Sequence, residues 1–324
     1  MSYSNQTYLK AAQTLEKRRK KAERIQLARK LEISEKIPDI SKYEAQLSAT
    51  GLAVVKAIGM GENAEEYINQ LSQINLSIQE NIKNLLVKNG YPEDYLEIPY
   101  TCKKCGDTGF SGGYVCECRK ELLKETAKLE LAAVSASAKC TFENFDISYY
   151  PLPVDQNLGI SPQNRMKSVA EYCKCYADDF DGESESLYMH GATGLGKTHL
   201  SLAIANVVTE KGYNVIYDSA QNIFTSLERE KFSYSGNGER EKELLDCDLL
   251  IIDDLGSEFV TSFTASALYN IINTRINRSK PVIISTNLTE TELEDKYTQR
   301  VTSRIIGNYV SLLFLGKDIR QLKK

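Results

Sequence analysis

The chain has 324 residues, 26% of them charged and 42% hydrophobic, and a formal net charge of −4 at pH 7. That length allows two domains and a large core, and the near-balanced charge excludes a global basic field, so contact with nucleic acid must come from local patches. No run of about 18 uninterrupted apolar residues is present, which excludes a helical membrane span, and the opening MSYSNQTYLKAAQ lacks the basic and apolar regions of a secretory signal. A cytoplasmic protein with no membrane partner is expected, its eight cysteines being reduced thiols or metal ligands rather than disulfides.

The first third predicts a helical module. Residues 5–35 are rich in Lys, Arg, Glu, Ala and Leu, and Pro38 interrupts them. Further helices are expected near 41–58 and 63–89, where Leu71, Ile74, Ile78, Ile82, Leu85 and Leu86 recur at three- and four-residue spacing. Asn89-Gly90 and Pro92 end the last of them. The basic run Lys17–Lys21 could touch nucleic acid. Its flanking Glu16 and Glu23 favour a solvated helix face instead.

A cysteine cluster follows, with Cys102 and Cys105 in a C-x-x-C pair and Cys116 and Cys118 in a C-x-C pair. Two close pairs separated by Gly106, Gly109, Gly112 and Gly113 point to a zinc knuckle or ribbon, in which Zn²⁺ replaces the core that so small a loop cannot build. The C-x-C pair departs from the commoner spacing, and four unrelated thiols are the alternative. No βαβ pattern surrounds the C-x-x-C, which argues against redox chemistry. Cys140, Cys173, Cys175 and Cys247 are scattered and read as packing or surface residues. A helix near 118–134 leads to the aromatic stretch Thr141–Phe145 and Tyr149-Tyr150-Pro151, which either wraps over a ligand or packs as a hinge.

From about residue 163 the pattern turns α/β. A helix near 163–180 precedes a short strand at Leu187-Tyr188-Met189. Next comes Gly191-Ala192-Thr193-Gly194-Leu195-Gly196-Lys197-Thr198, a G-x-x-x-x-G-K-T phosphate-binding loop opening a helix at His199–Val208. Strand, loop and helix stand in the required order. Successive backbone N–H groups and the positive helix end would cradle phosphate, so Gly191 through His199 are the expected ATP-binding residues. Lys197 would reach the β- and γ-phosphates, and Thr198 would hold Mg²⁺.

A second strand is expected at Asn214–Asp218, then helical segments, with 233–238 as a polar loop. The run Leu249-Leu250-Ile251-Ile252-Asp253-Asp254 reads as a buried parallel strand that delivers two carboxylates beside the phosphate loop. Asp253 would complete the Mg²⁺ shell, and Asp254 would orient or activate the attacking water. A fourth strand, Pro281–Thr286, ends at Asn287, which is either near the γ-phosphate or simply an exposed loop residue. Arg300, Arg304 and Arg320 follow; by spacing alone they carry little meaning.

Together the segments GATGLGKTHL, LLIIDDLG, VIISTN, QRVTSRI and GKDIR, with FENFDISYYP upstream, resemble the AAA+ ATPases of the DnaC/DnaI helicase-loader family, with IstB-type transposition helpers as relatives. The resemblance covers about residues 140–320, and more loosely the helical and cysteine region. It implies an AAA+ core, a parallel sheet flanked by helices, preceded by a helical module with a small zinc-binding loop. The implied division is 1–97 partner-binding module, 98–120 zinc loop, 121–162 linker and aromatic segment, and 163–324 ATPase domain. It makes Asn287 sensor 1, Arg304 the arginine finger and Arg320 the sensor 2 arginine. Asp-Asp stands where AAA+ proteins usually carry Asp-Glu, which suits a slow timing ATPase. The helical lid of common AAA+ proteins is not expected after Arg320.

The implied function is a switch. ATP held between neighbouring subunits joins them through AAA+ interfaces, with Arg304 of one completing the next site. The N-terminal module holds a hexameric replicative DNA helicase, and the ATPase part engages single-stranded DNA. Gln221–Thr225, in the helix after the second strand, are candidate DNA contacts. Two other readings are an IstB-type helper of a transposase and a non-catalytic adaptor; the intact Lys197, Thr198, Asp253 and Asp254 argue against the adaptor.

Overall fold

A computed structural model describes residues 3–57, 64–134, 140–154, 159–232 and 238–322. The polar loop expected at 233–238 lies outside them but for Gly238. The chain divides into two compact units. One comprises residues 12–119, and the other residues 1–11 with 120–324. The breaks fall at 11/12 and 119/120, the second beside the 120/121 boundary of the expected division, and residues 1–11 and the aromatic segment group with the ATPase part.

Three helices, α1 (Asn5–Lys36), α2 (Pro38–Ala57) and α3 (Ala64–Lys88), make up most of the 12–119 unit. Ile33, Ile37, Ile40, Ile78, Ile82 and Leu86 form its buried core. The helical spacing that predicts α3 is the spacing that puts Ile78, Ile82 and Leu86 on one face. Tyr91 and Tyr95 donate their hydroxyls to the Glu32 carboxylate at 3.0 and 2.8 Å, and Lys36 Nζ donates at 2.7 Å. Those donors, Lys36 first, hold the Glu32 carboxyl down at about 2. The basic run is a solvated face: Arg19 pairs with Glu23 at 3.0 Å and Lys20 with Glu16 at 2.5 Å.

The cysteine loop carries a hairpin, β1 (Phe110–Ser111) and β2 (Tyr114–Val115), turned by Gly112 and Gly113 at φ +60° and +81°. Two consecutive positive φ values define the primed turn that matches strand twist, and glycine adopts them without strain. Helix α4 (Glu117–Val134) follows.

The other unit is a five-stranded parallel sheet between helices. In chain order it contains α5 (Pro162–Asp179), β3 (Ser186–His190), α6 (Lys197–Glu210), β4 (Val215–Ser219), α7 (Ala220–Phe232), α8 (Glu239–Asp246), β5 (Leu249–Leu255), α9 (Ser262–Asn277), β6 (Val282–Thr286), α10 (Glu290–Tyr297), α11 (Gln299–Asn308), β7 (Tyr309–Leu313) and α12 (Ile319–Leu322). The strand order is β4-β5-β6-β3-β7, the parallel sheet flanked by helices that the sequence predicts. Alternation along the strands builds the two layers. Leu187, Leu249, Ile251 and Ile283 pack with Met166 and Val169 of α5 and Leu200 and Ile204 of α6. Leu250, Ile252, Val282 and Ile284 pack on the opposite layer with Phe224, Leu268, Ile272 and Ile305. Apolar on both faces, β5 and β6 have the continuous hydrophobic runs of central parallel strands.

Local signals set the helix starts. Ser161 caps α5 with Pro162 in its first turn, and capping boxes at Thr261/Thr264 and Thr289/Glu292 open α9 and α10. The fully buried Arg275 donates to the carbonyls of Leu244, Cys247 and Pro281 at 2.7, 3.0 and 2.8 Å, tying the end of α8 to the start of β6. No helix among the described residues is long and apolar enough to cross a membrane.

Candidate functional site

Parallel strands place their carboxyl ends on one edge, where ligands bind in open α/β sheets. β3 ends there in the phosphate loop, β5 in Asp253 and Asp254, and β6 in Ser285 and Thr286. A cleft of about 530 Å³ opens at this edge, lined among others by Thr193 through His199, Asp253, Asp254, Ser285 and Arg320. The structure thus brings the loop and both acids together.

The loop is shaped by close approach. Gly196 sits at φ +88° and opens α6, and a Cβ there would lie 2.7 Å from the Phe145 ring. Lys197 is buried; its Nζ donates to the carbonyls of Gly191 and Ala192 at 2.6 and 2.7 Å. Burial pulls its ammonium below the ordinary value, and the Asp254 and Asp253 carboxylates oppose that shift. The charge is stored against the loop's own oxygens, where phosphate oxygens would replace them.

Thr198 Oγ1 donates to the Asp253 carboxylate at 2.9 Å to Oδ2. Asp253 also accepts from the Tyr217 hydroxyl at 2.7 Å and the Ser285 hydroxyl at 2.5 Å. Burial and the Asp253 charge push the Tyr217 hydroxyl well up, so it stays a donor. A hydroxyl and a carboxylate side by side are the hard oxygen donors that Mg²⁺ requires, so Thr198 and Asp253 could hold it. The spacing of motif residues does not reveal Tyr217 or Ser285, because neither belongs to a motif; each follows from facing Asp253 on a neighbouring strand.

Asp254 is exposed into the cleft through a β-bulge. β5 and β6 pair at Ile252↔Ile284 and again at Leu255↔Thr286, so Asp253 and Asp254 together oppose Ser285. Bulges re-aim side chains beside active sites. Asp254 takes φ +55° there, a conformation that aspartate tolerates better than most side chains.

The aromatic segment wraps onto the site. Tyr150 donates to the Leu195 carbonyl at 2.9 Å, and His199 Nε2 donates to the Thr141 carbonyl at 2.8 Å. The Phe145 ring lies 5.4 Å from His199, and Phe145 and Tyr149 line the cleft. From the other side, Ile319 N–H donates to the Gly194 carbonyl at 3.0 Å, and Arg320 lines the cleft with its Nε 3.3 Å from Asp318.

Two expected residues lie outside the cleft lining. Asn287 is exposed just past β6. Arg304, on α11, lies over the Tyr269 ring at 4.5 Å and donates to Asn273 at 2.8 Å. Among the candidate DNA contacts, Ile223 and Phe224 are buried in the core, so they are not available to stack on a base.

In the 12–119 unit, Cys102, Cys105, Cys116 and Cys118 converge with their sulfurs all within 4.8 Å of one another. The Cys102–Cys116 and Cys105–Cys118 sulfurs are 3.8 and 3.4 Å apart. Four thiolates around tetrahedral zinc at 2.3 Å stand about 3.8 Å apart, so this set fits a zinc ion. The short C-x-C works because Cys116 precedes α4 and Cys118 lies in its first turn, with Arg119 N–H donating to the Cys116 carbonyl at 3.0 Å. The buried Asp107 accepts the Thr101 and Cys102 N–H groups, both at 2.9 Å, and fixes the first knuckle.

Residues 155–306 match the family of IstB-like ATP binding proteins. The chain is 25% identical over 178 residues to the replicative helicase loader DnaC of Escherichia coli K12, covering 54% of this chain and 66% of that protein. It is 28% identical over 211 residues to an ATP-binding protein in an insertion sequence of Mycobacterium tuberculosis, covering 64% of this chain and 77% of that protein. Among solved structures, the DnaC helicase loader shares 23% identity at a TM-score of 0.47, covering 56% of this chain and 99% of that one. AMPPCP-bound DnaA from Aquifex aeolicus shares 24% at a TM-score of 0.45, covering 57% and 52%. Residues 155–306 therefore match an IstB-like ATP-binding domain, with homology to the DnaC replicative helicase loaders.

Proposed function

We propose that the chain is an ATP-driven loader, working in the cytoplasm, that holds a hexameric replicative DNA helicase and delivers it to single-stranded DNA. The observation that carries this reading is the combination of a complete nucleotide site, in a domain homologous to helicase loaders, with a separate helical unit that bears four converging cysteines. That unit is the helicase-binding element, and its cysteines hold zinc.

Each site residue has a part. The loop N–H groups and Lys197 bind the triphosphate, and Thr198 and Asp253 hold Mg²⁺, which would screen phosphate charge. Asp254 orients the water that attacks the γ-phosphorus as ADP departs. Arg320 faces the phosphates of its own subunit, and Arg304 reaches the site of a neighbour in an ATP-bridged assembly. For DNA, the exposed Phe232 and Phe259, with Lys231 over the Phe263 ring at 4.6 Å, offer stacking faces and charge.

The match to IstB-like proteins favours a second reading, an ATPase helper of a DNA transposase. Affinity capture of the tagged full-length chain from its own cells, with ATP present, separates the two. Recovery of a hexameric helicase supports the loader. Recovery of a transposase in its place overturns that reading in favour of the helper.

A further inference from the structure

One buried acid beside the nucleotide site takes no part in holding phosphate or cation. Glu258 is 4% exposed. Its Oε2 accepts the Gly256 N–H at 2.9 Å, and its Oε1 accepts the Tyr297 hydroxyl. Lys296, next to Tyr297 at the end of α10, donates its ammonium to the Gly256 carbonyl. Side chains thus hold both polar backbone groups of Gly256.

Gly256 lies in the turn that begins at Asp254. Asp254 has φ +55° and Gly256 φ +104°, and Ser257 N–H donates to the Asp254 carbonyl at 3.1 Å. The first half of this turn is pinned by β6. Ser285 Oγ accepts the Asp254 N–H at 2.8 Å, and Thr286 Oγ1 donates to the Leu255 carbonyl at 2.6 Å. A left-handed residue other than glycine persists only where its surroundings over-determine it. For the second half of the turn, Glu258 and Lys296 supply that constraint.

We infer that Glu258 is a positioning residue for hydrolysis: through the Gly256 amide it fixes the left-handed turn that aims Asp254 into the cleft. The inference rests on Asp254 being the carboxylate that orients the attacking water. Glu258 accepts with both oxygens, as a carboxylate does. Burial pushes its carboxyl up, and the Gly256 N–H and the Lys296 ammonium draw it back. Turnover should therefore depend on Glu258 while nucleotide binding, made by the phosphate loop, should not.

The test compares steady-state ATP hydrolysis with binding of a non-hydrolysable ATP analogue for Glu258→Ala, Glu258→Gln, Tyr297→Phe, Asp254→Asn and the Glu258→Ala/Asp254→Asn pair. Misplacing a reacting group by about 1 Å can cost on the order of 10²-fold. Glu258→Ala should thus lower kcat by roughly 10- to 100-fold, with analogue affinity within about twofold. Glu258→Gln keeps an acceptor for the Gly256 N–H and should recover much of the turnover. In the Asp254→Asn background, Glu258→Ala should cost nothing further, because both act through one group. Equal losses in binding and turnover, or additive losses in the pair, would overturn the inference and leave Glu258 a loop anchor. If Asp254→Asn itself turns over normally, the reading of Asp254 fails first. Should Glu258→Ala not fold, Tyr297→Phe removes one hydroxyl only and must show the same split between kcat and binding.

Discussion

Thr198 Oγ1 and Asp253 Oδ2 stand 2.9 Å apart, joining the last residue of the phosphate loop to the end of β5. Each would supply half of the proposed cation site, and the Tyr217 and Ser285 hydroxyls orient the carboxylate. Partners of this kind typically change metal affinity or activity by 10- to 100-fold. Tyr217→Phe keeps the ring and removes the donor, so the Mg²⁺ concentration for half-maximal ATP hydrolysis should rise by roughly tenfold or more. A Mg²⁺ titration of turnover checks this, and an unshifted midpoint would count against the network.

Lys197→Ala should abolish tight ATP binding. The ammonium is held on the Gly191 and Ala192 carbonyls, aimed at the position of the phosphates. Without it, phosphate charge enters a loop that faces two carboxylates. Fluorescent-nucleotide binding and phosphate release measure the effect, and parental values in both would refute the loop assignment.

Much of this site was legible because its chemistry is contiguous in sequence. The phosphate loop lies within eight residues, and the acids end an uninterrupted apolar run. Strand order adds what spacing cannot. Tyr217 and Ser285 reach Asp253 only because β4 and β6 both flank β5. The left-handed Asp254 depends on a bulge that only pairing with β6 defines. The sequence reading contains no edge strand at Tyr309–Leu313, because it follows α11 directly and the turn signal Gly307-Asn308 lies inside that helix. The expectation of a DNA contact at Phe224 fails because the polar neighbours Gln221 and Asn222 do not show that the ring belongs to the buried cluster that includes Leu250.

The four cysteines predict about one zinc per chain, since tetrahedral thiolate sites bind zinc tightly enough to fold small loops. Metal analysis of freshly purified, reduced protein is the measurement. A Cys102→Ser/Cys105→Ser double change should remove the metal and lower the thermal stability of the 12–119 unit within the full chain. Zinc absent from the parent, or unchanged in the double variant, refutes the site.

Glu32 gives a pH test of the same unit. Its carboxyl lies at about 2 in the fold, against about 4.3 in an unfolded chain. A depressed carboxylate contributes stability that is fully present above the unfolded value and lost as pH falls toward the folded one. The melting-temperature advantage of the parent over Glu32→Gln should therefore be constant above about pH 5 and shrink progressively below it. Thermal scans between neutral and strongly acid pH decide the matter. An advantage that stays level in acid would mean that the Tyr91 and Tyr95 hydroxyls are held equally well by the protonated form.

Arg304 separates an assembled machine from a stand-alone nucleotide binder. Its guanidinium lies over Tyr269 and is fixed by Asn273, away from the residues that line its own cleft. Acting on a neighbour's nucleotide, it would stabilise charge spread over the transferring phosphoryl group. Arg304→Ala should leave ATP binding by the monomer intact and weaken ATP-dependent assembly and hydrolysis; arginine fingers elsewhere are worth roughly 10³–10⁵ in rate. The lost contact with Tyr269 is controlled by thermal unfolding of the variant. Mixing Arg304→Ala with Lys197→Ala protein sharpens the test. Each variant lacks one half of a composite site, so an interface between them can hold one intact site and recover hydrolysis. If co-assembly is demonstrated and no activity returns, Arg304 does not act across subunits. Its bonds to Tyr269 and Asn273, which pin α11 to α9, would then be its role.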